Sequence, residues 1–529
     1  MTLLQSYADL QGACFVCHAA EPAEHGLSRR QLLVQGALAG AAFGAATPAQ
    51  QSAANPPPRQ DTPPHRDCII EAPWGLVFQN GRLSLLPDCA VRVRHDRIEA
   101  VTSGPLPGDT PRVRAAGQLL LPGLISGHTH TCSATPTRGI IEGGRSYARP
   151  LELVELLSTE DLDALTAYNL AELLRSGCTT QVEMSLSLRQ AESYVRLAGR
   201  WGVRGYPGGM IPGIGRLFPI WFRQADQILT DSEQLTLDEI EANRRFGLAH
   251  NGAEDGRIRP QMAPHATDTH TPKTMAAILA AAREIGNGIH IHLSQSAQET
   301  HTVERLWGKR PAAWLDELGF YTQPVFGAHF TGIDLTHDLP FVAKKNLTYA
   351  HCPSGGGAGG SSGTQPYPEA LAAGVRTTIG IDTHSNDYIE NLKLAVLYGR
   401  ARARLLQPSS PVPLRLPTVW DAVEGATLGA AIGLGRDDIG RIAPGAKADL
   451  CTVDVSGFLS GVGAVPPEPL NNLLYAHGLS VQHVMTDGRF QVFQGRLVCD
   501  DAEQVQKRGG AVVQKIWAQL RDEDWFASG

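Results

Sequence analysis

GLISGHTHT (123–131) is the first of eight short strand-like runs, six of which finish in histidine or aspartate. This recurrence constrains the fold more than any other feature of the chain. The others are CTTQVEM (178–184), VRGYPGGMI (203–211), IRPQMAPHAT (258–267), GIHIHLSQ (288–295), PVFGAHFT (324–331), NLTYAHCPS (346–354) and VRTTIGIDTH (375–384). Stretches with helical periodicity separate them, as in LELVELLSTEDLDALTAYNLAELLRSG (151–177), where Ser158 and Thr159 can cap a second helix and Gly177 ends it. Strands alternating with helices predict parallel β-α units, and eight of them predict an α/β fold of the (β/α)8 TIM-barrel type. Catalytic groups of such barrels gather at the C-terminal strand ends. There this chain carries His128 and His130, His265, His292, His329, His351 and Asp382. Two histidines at i and i+2 of an extended chain share one side, and neutral imidazole is the commonest metal ligand. A metal centre is therefore expected at the barrel mouth.

Flanking segments predict a second unit. Residues 74–101 alternate apolar and polar positions around an Asn80-Gly81 turn, the signature of a hairpin, and 439–455 and 481–498 are again β-rich. The expected organisation is a small composite β-sandwich from residues 68–122 and 438–500, a barrel over 123–437, and a closing helix in 501–529. The Gly-rich run 354–363 lacks the Gly-Lys-Ser/Thr of a phosphate loop and is expected as a flexible loop over the barrel mouth. Nine cysteines without regular spacing describe no disulfide framework, so Cys132 and Cys352 are read as buried packing thiols. A net charge of −7 offers no basic field for nucleic acid.

The amino-terminal region reads as an export signal. Arg29 and Arg30 precede an Ala/Gly-rich apolar stretch, too short to span a bilayer stably, and the small-residue pattern Thr47-Pro48-Ala49. Residues 1–49 thus resemble a twin-arginine signal cleaved near Ala49, with 50–67 as a Pro-rich linker. The expected partner is the twin-arginine export machinery, and the expected location is periplasmic. CFVCH (14–18) matches a haem-attachment pattern but lies upstream of the signal and is expected to be removed with it.

Together LLLPGLISGHTHT, GCTTQVEM, MAPHATDTHT, IHIHLSQ, GAHF, AHCPS, TIGIDTHSND and GRIAPGAKADL, in this order, resemble the metal-dependent amidohydrolase superfamily. Within it they are most similar to the branch of triazine chlorohydrolases and cytosine and guanine deaminases. The resemblance implies that His128, His130, His292 and Asp382 bind one divalent metal ion. It also implies that His329 and Asp382 serve catalysis, and that His265, Gln295, Glu183 and Asn386 contact substrate. Three imidazoles and a carboxylate leave a position open for water on Zn2+, the expected metal, with Fe2+, Co2+ and Mn2+ as alternatives. No lysine ends the fourth strand, where binuclear relatives carry a bridging one. The implied partner is a small-molecule substrate, and a homo-oligomer such as a dimer is compatible with the resemblance.

Three positions depart from the family pattern. Gln295 stands where relatives read glutamate, HCPSGG replaces HCPxSN, and Glu183 replaces aspartate. The resulting expectation is metal-assisted hydrolysis of a non-peptide C–N bond of amide, urea or carbamate type. The alternatives are deamination or dechlorination of an aromatic N-heterocycle, and a degenerate barrel that binds without turnover.

Overall fold

Asn80 and Gly81 both adopt positive φ, 52° and 78°, which closes a two-residue hairpin between β1 (Cys68–Gln79) and β2 (Arg82–Arg94). Such a turn matches the twist of the strands it joins. The computed structural model describes residues 62–64, 66–145, 148–213, 232–358 and 365–527. The expected signal region and most of the expected linker lie outside them, as does most of the segment 212–231. Among the described residues no helix is long and apolar enough to cross a membrane.

The hairpin continues into β3 (Arg97–Ser103), β4 (Arg112–Arg114) and β5 (Gln118–Pro122) before the chain enters the barrel. After the barrel, β14 (Leu450–Asp454) pairs antiparallel with β5, and β15 (Val481–Thr486), β16 (Arg489–Phe493) and β17 (Arg496–Leu497) extend the same sheet. The two flanking segments thus unite in one nine-stranded, hydrogen-bonded sheet. Residues from both of its ends, including Val93, Ile98, Met485 and Phe493, line one apolar core.

All eight expected barrel strands are present. They are β6 (Leu124–Thr129), β7 (Cys178–Ser185), β8 (Arg204–Ile211), β9 (Ala263–Pro264), β10 (Ile289–Leu293), β11 (Val325–His329), β12 (Leu347–His351) and β13 (Thr377–Ile379). They pair in parallel as two quartets, and bridges at Met262–Ile289, Ala266–His292 and Thr129–Asp382 join the quartets at both seams. β9 is much shorter than the expected 258–267, because Pro260 and Pro264 cannot donate to the ladder. Ser158 caps the helix Thr159–Arg175 by accepting from Asp161 N, and Gly177 follows it at φ 91°. The helix Ala502–Asp522 closes the chain against Thr159–Arg175. One expectation needs correction: the Gly-rich run does not begin as a loop, since Pro353–Ala358 is a helical turn packed against the site. The rest of the run lies outside the described residues.

Candidate metal centre

The parallel strands of the barrel end at one mouth, so side chains far apart in sequence converge there. His128 on β6 and His130 just after it present rings 4.7 Å apart. His292 near the end of β10 lies 4.9 Å from His128 and 5.6 Å from His130, ring to ring. His329 ends β11 and stacks on His292 at 5.3 Å. Asp382, just past β13, places Oδ1 3.5 Å from His130 Nε2 and 3.8 Å from His128 Nε2. One ligand atom from each of His128, His130 and His292 lies within 4.8 Å of the others, and the same holds for His128, His329 and Asp382.

The hydrogen bonds set which nitrogens face the centre. His130 Nδ1–H donates to Met184 O at 2.5 Å and His292 Nδ1–H donates to His265 O at 2.8 Å, which leaves both Nε2 lone pairs for a ligand. Nε2 of His128 and of His329 are buried with no hydrogen-bond partner. Orphaned polar atoms of this kind cost stability unless something occupies the space between them. Burial, aided by the neighbouring imidazoles, holds His128 and His329 well below the usual histidine range, and burial lowers His130 to about 3 and His292 to about 4. Neutral imidazoles are what a cation requires. Burial pushes Asp382 up to about 7 in the metal-free protein, and a bound cation supplies the charge that its carboxylate lacks. The donor set therefore fits a divalent metal ion. His329, Asp382 and Ser294 hold φ of 81°, 58° and 47°, a left-handed backbone rare for residues with a Cβ and found where a site is tightly defined.

The remaining expected residues divide. His265 is buried beside His292, ring centroids 5.0 Å apart, as a wall of the site. Gln295 sits half-buried on the turn after β10, its N–H donating to Glu299 Oε2 at 2.6 Å. Glu183 is fully buried and accepts from Thr131 N at 2.9 Å, Thr131 Oγ1 at 2.6 Å and Ser185 Oγ at 2.8 Å. Its carboxylate thereby holds the backbone after His130. The buried amide of Asn386 donates to Glu172 Oε2 at 2.8 Å and Asn169 Oδ1 at 3.1 Å, tying the loop after β13 to a helix, while its Oδ1 has no hydrogen-bond partner among the described residues. His351 ends its strand but turns into the core, stacked on Tyr367 at 4.6 Å with Nδ1 2.8 Å from Gln365 Oε1. Burial raises the Cys132 and Cys352 thiols well above their ordinary range, in keeping with packing roles. At Gly355 a Cβ would stand 2.4 Å from Asp382 Oδ2, so the HCPSGG departure lets a helical turn pack directly on that carboxylate.

Two residues at the site escaped the sequence reading. Glu299, buried in the first turn after the cap residue Ser296, joins the Gln295 turn to Thr267 beyond β9; burial and the nearby Asp268 raise its carboxyl. Its spacing three residues after a serine was a visible capping signal. His290, two residues before His292 and so on the same strand face, meets His128 with Nε2 2.7 Å from Nδ1.

The sequence model of the Amidohydrolase family matches residues 119–490. The 5-methylthioadenosine/S-adenosylhomocysteine deaminase of Natronomonas pharaonis is 30% identical over 449 residues, covering 81% of this chain and 93% of that protein. The enzyme of the same name from Moorella thermoacetica is 29% identical over 459 residues, covering 83% and 96%. Among solved structures, an atrazine chlorohydrolase from Arthrobacter aurescens TC1 complexed with zinc superposes with a TM-score of 0.71 at 20% identity, covering 84% of this chain and all of that one. An adenosine deaminase from Xanthomonas campestris with bound zinc gives 0.68 at 22% identity, covering 85% and 99%.

Proposed function

Because the chain belongs to the amidohydrolase family and is a hydrolase of C–N bonds, we propose that it cleaves an amide-, urea- or carbamate-like C–N bond of a small molecule. His128, His130, His292 and Asp382 would hold one ion, Zn2+ by the chemistry of the donor set. Such an ion supplies activation of a water molecule near neutral pH. Asp382 takes the proton lost by the attacking water and returns it to the departing nitrogen as the C–N bond breaks. Neutral His329, at the mouth beside His292, donates a hydrogen bond to the oxygen that gains negative charge. His265 walls the substrate space on the far side of His292.

Gln295 carries the choice of substrate class. Attack on an aromatic ring carbon requires a ring nitrogen to accept a proton, and a glutamine amide cannot cycle between acid and base. A carbonyl substrate needs no such donor. The deaminase relatives favour a second reading, deamination of a purine nucleoside. A panel of amides, ureas, carbamates and aminated heterocycles, assayed with wild type and Gln295→Glu, separates the two. We expect carbonyl substrates to be preferred by the wild type and heterocycle deamination to rise on the order of 10²-fold in Gln295→Glu, the low end of general-acid effects. Efficient deamination by the wild type, unimproved by the glutamate, establishes the second reading instead.

The Arg29-Arg30 pair and the small apolar stretch behind it support export before this chemistry is used. A folded, metal-loaded enzyme suits the twin-arginine route. Arg29→Lys with Arg30→Lys should shift the protein from the periplasmic to the cytoplasmic fraction; unchanged fractionation refutes that route.

A further inference from the structure

We propose that His290 is a positioning residue of the metal centre, accepting the Nδ1 proton of His128 and thereby aiming His128 Nε2 at the ion. The inference rests on His128 being a ligand. The two rings are buried and nearly perpendicular, at 89° with centroids 4.9 Å apart, and His290 Nε2 stands 2.7 Å from His128 Nδ1. A hydrogen bond between two neutral imidazoles needs one donor and one acceptor, so the proton sits on one of these two nitrogens. On the other side of the ring, His128 Nε2 is buried without a partner and 3.8 Å from Asp382 Oδ1. A ligand nitrogen must offer its lone pair. Hence Nδ1 of His128 carries the proton and donates the hydrogen bond that His290 Nε2 accepts.

The arrangement differs at the other two imidazoles. His130 and His292 donate to the carbonyls of Met184 and His265, which the strands themselves fix. His128 relies on a side chain, contributed by a strand 162 residues away. A single substitution at position 290 therefore loosens one of the three imidazole ligands and leaves the backbone supports of the other two intact. Hydrogen-bond partners of ligating histidines contribute about 10–100-fold to metal affinity.

The test measures metal binding, not turnover. His290→Phe keeps a ring and removes the acceptor, whereas His290→Gln restores an acceptor oxygen. Each metal-stripped full-length protein is titrated with Zn2+ against a chelator, and the melting temperature of the metal-free form is recorded. We expect His290→Phe to bind Zn2+ about 10–100-fold more weakly and His290→Gln to recover to within a few-fold of wild type. Wild-type affinity in His290→Phe, or equal losses in two variants that melt like wild type, overturns the proposal. Should the variants not fold, nitrogen-15 shifts of histidine in the Zn2+-loaded wild type decide: a protonated Nδ1 on His128 supports it and a protonated Nε2 refutes it. Failure of wild type to bind any divalent ion would instead defeat the reading of the site as a metal centre.

Discussion

Asp382→Ala is expected to lower kcat/KM by about 10⁴-fold, the upper end of what general acid–base catalysis contributes, and to weaken metal retention besides. Both losses are expected if one carboxylate has the two proposed duties, since it lies beside the Nε2 atoms of His128 and His130 and is proposed to handle the proton of the attacking water. Steady-state kinetics with and without added Zn2+, alongside elemental analysis of the purified variant, check both. A variant that keeps a tenth of wild-type activity removes Asp382 from the mechanism. The same group makes a pH prediction. In the metal-free protein the folded carboxyl keeps its proton up to about 7, while the unfolded chain releases it near 3.8. The folded state thus binds more protons between those values, and its stability falls as pH rises through them. Metal binding must expel that proton, so Zn2+ stabilises the protein more at pH 8 than at pH 5. Thermal melts with and without Zn2+ at the two pH values should show this; an equal increment at both contradicts it.

Arg204→Ala is expected to destabilise the chain by about 3–5 kcal/mol, the range for losing one partner of a buried ion pair. Arg204 opens β8 at the base of the barrel, with 1% of its side chain exposed. It bonds Asp449 Oδ2 and Oδ1 at 2.8 and 3.1 Å and Asp487 Oδ1 at 2.7 Å, joining the barrel to the nine-stranded sheet. Asp449 also accepts from Asp487 N at 2.9 Å, and Arg257 and Lys447 reach Asp487 at 3.5 Å. Removing Arg204 leaves two carboxylates buried with their principal cation gone. Urea unfolding of wild type and Arg204→Ala measures the difference. A loss under about 1 kcal/mol would mean that the neighbouring cations or water compensate, and the cluster would then be a minor part of the interface.

Local chemistry was legible along the chain. Period-two runs, the Asn80-Gly81 turn, the Ser158 cap and Gly177 each act within a few residues, and each stands where the pattern put it. The strand-end residues His128, His130, His292, His329 and Asp382 were legible too, because a parallel barrel brings the C-terminal ends of its strands to one mouth. Only the tertiary structure decided what each side chain meets there. The alternation that assigns His351 to a strand end does not say whether its ring turns to the metal or to Tyr367. The resemblance marks Glu183 and Asn386 as substrate groups, but their partners within the protein, Thr131 and the helix residues Asn169 and Glu172, come from elements that sequence distance keeps apart. His290 is the clearest case: period two placed it on the ligand face of β10, and only closure of the ring brought it within 2.7 Å of His128. The physical reason is the same throughout. Backbone propensity and hydrophobic periodicity are properties of neighbours in the chain, whereas a hydrogen bond depends on two atoms whose separation the packing of the whole barrel sets.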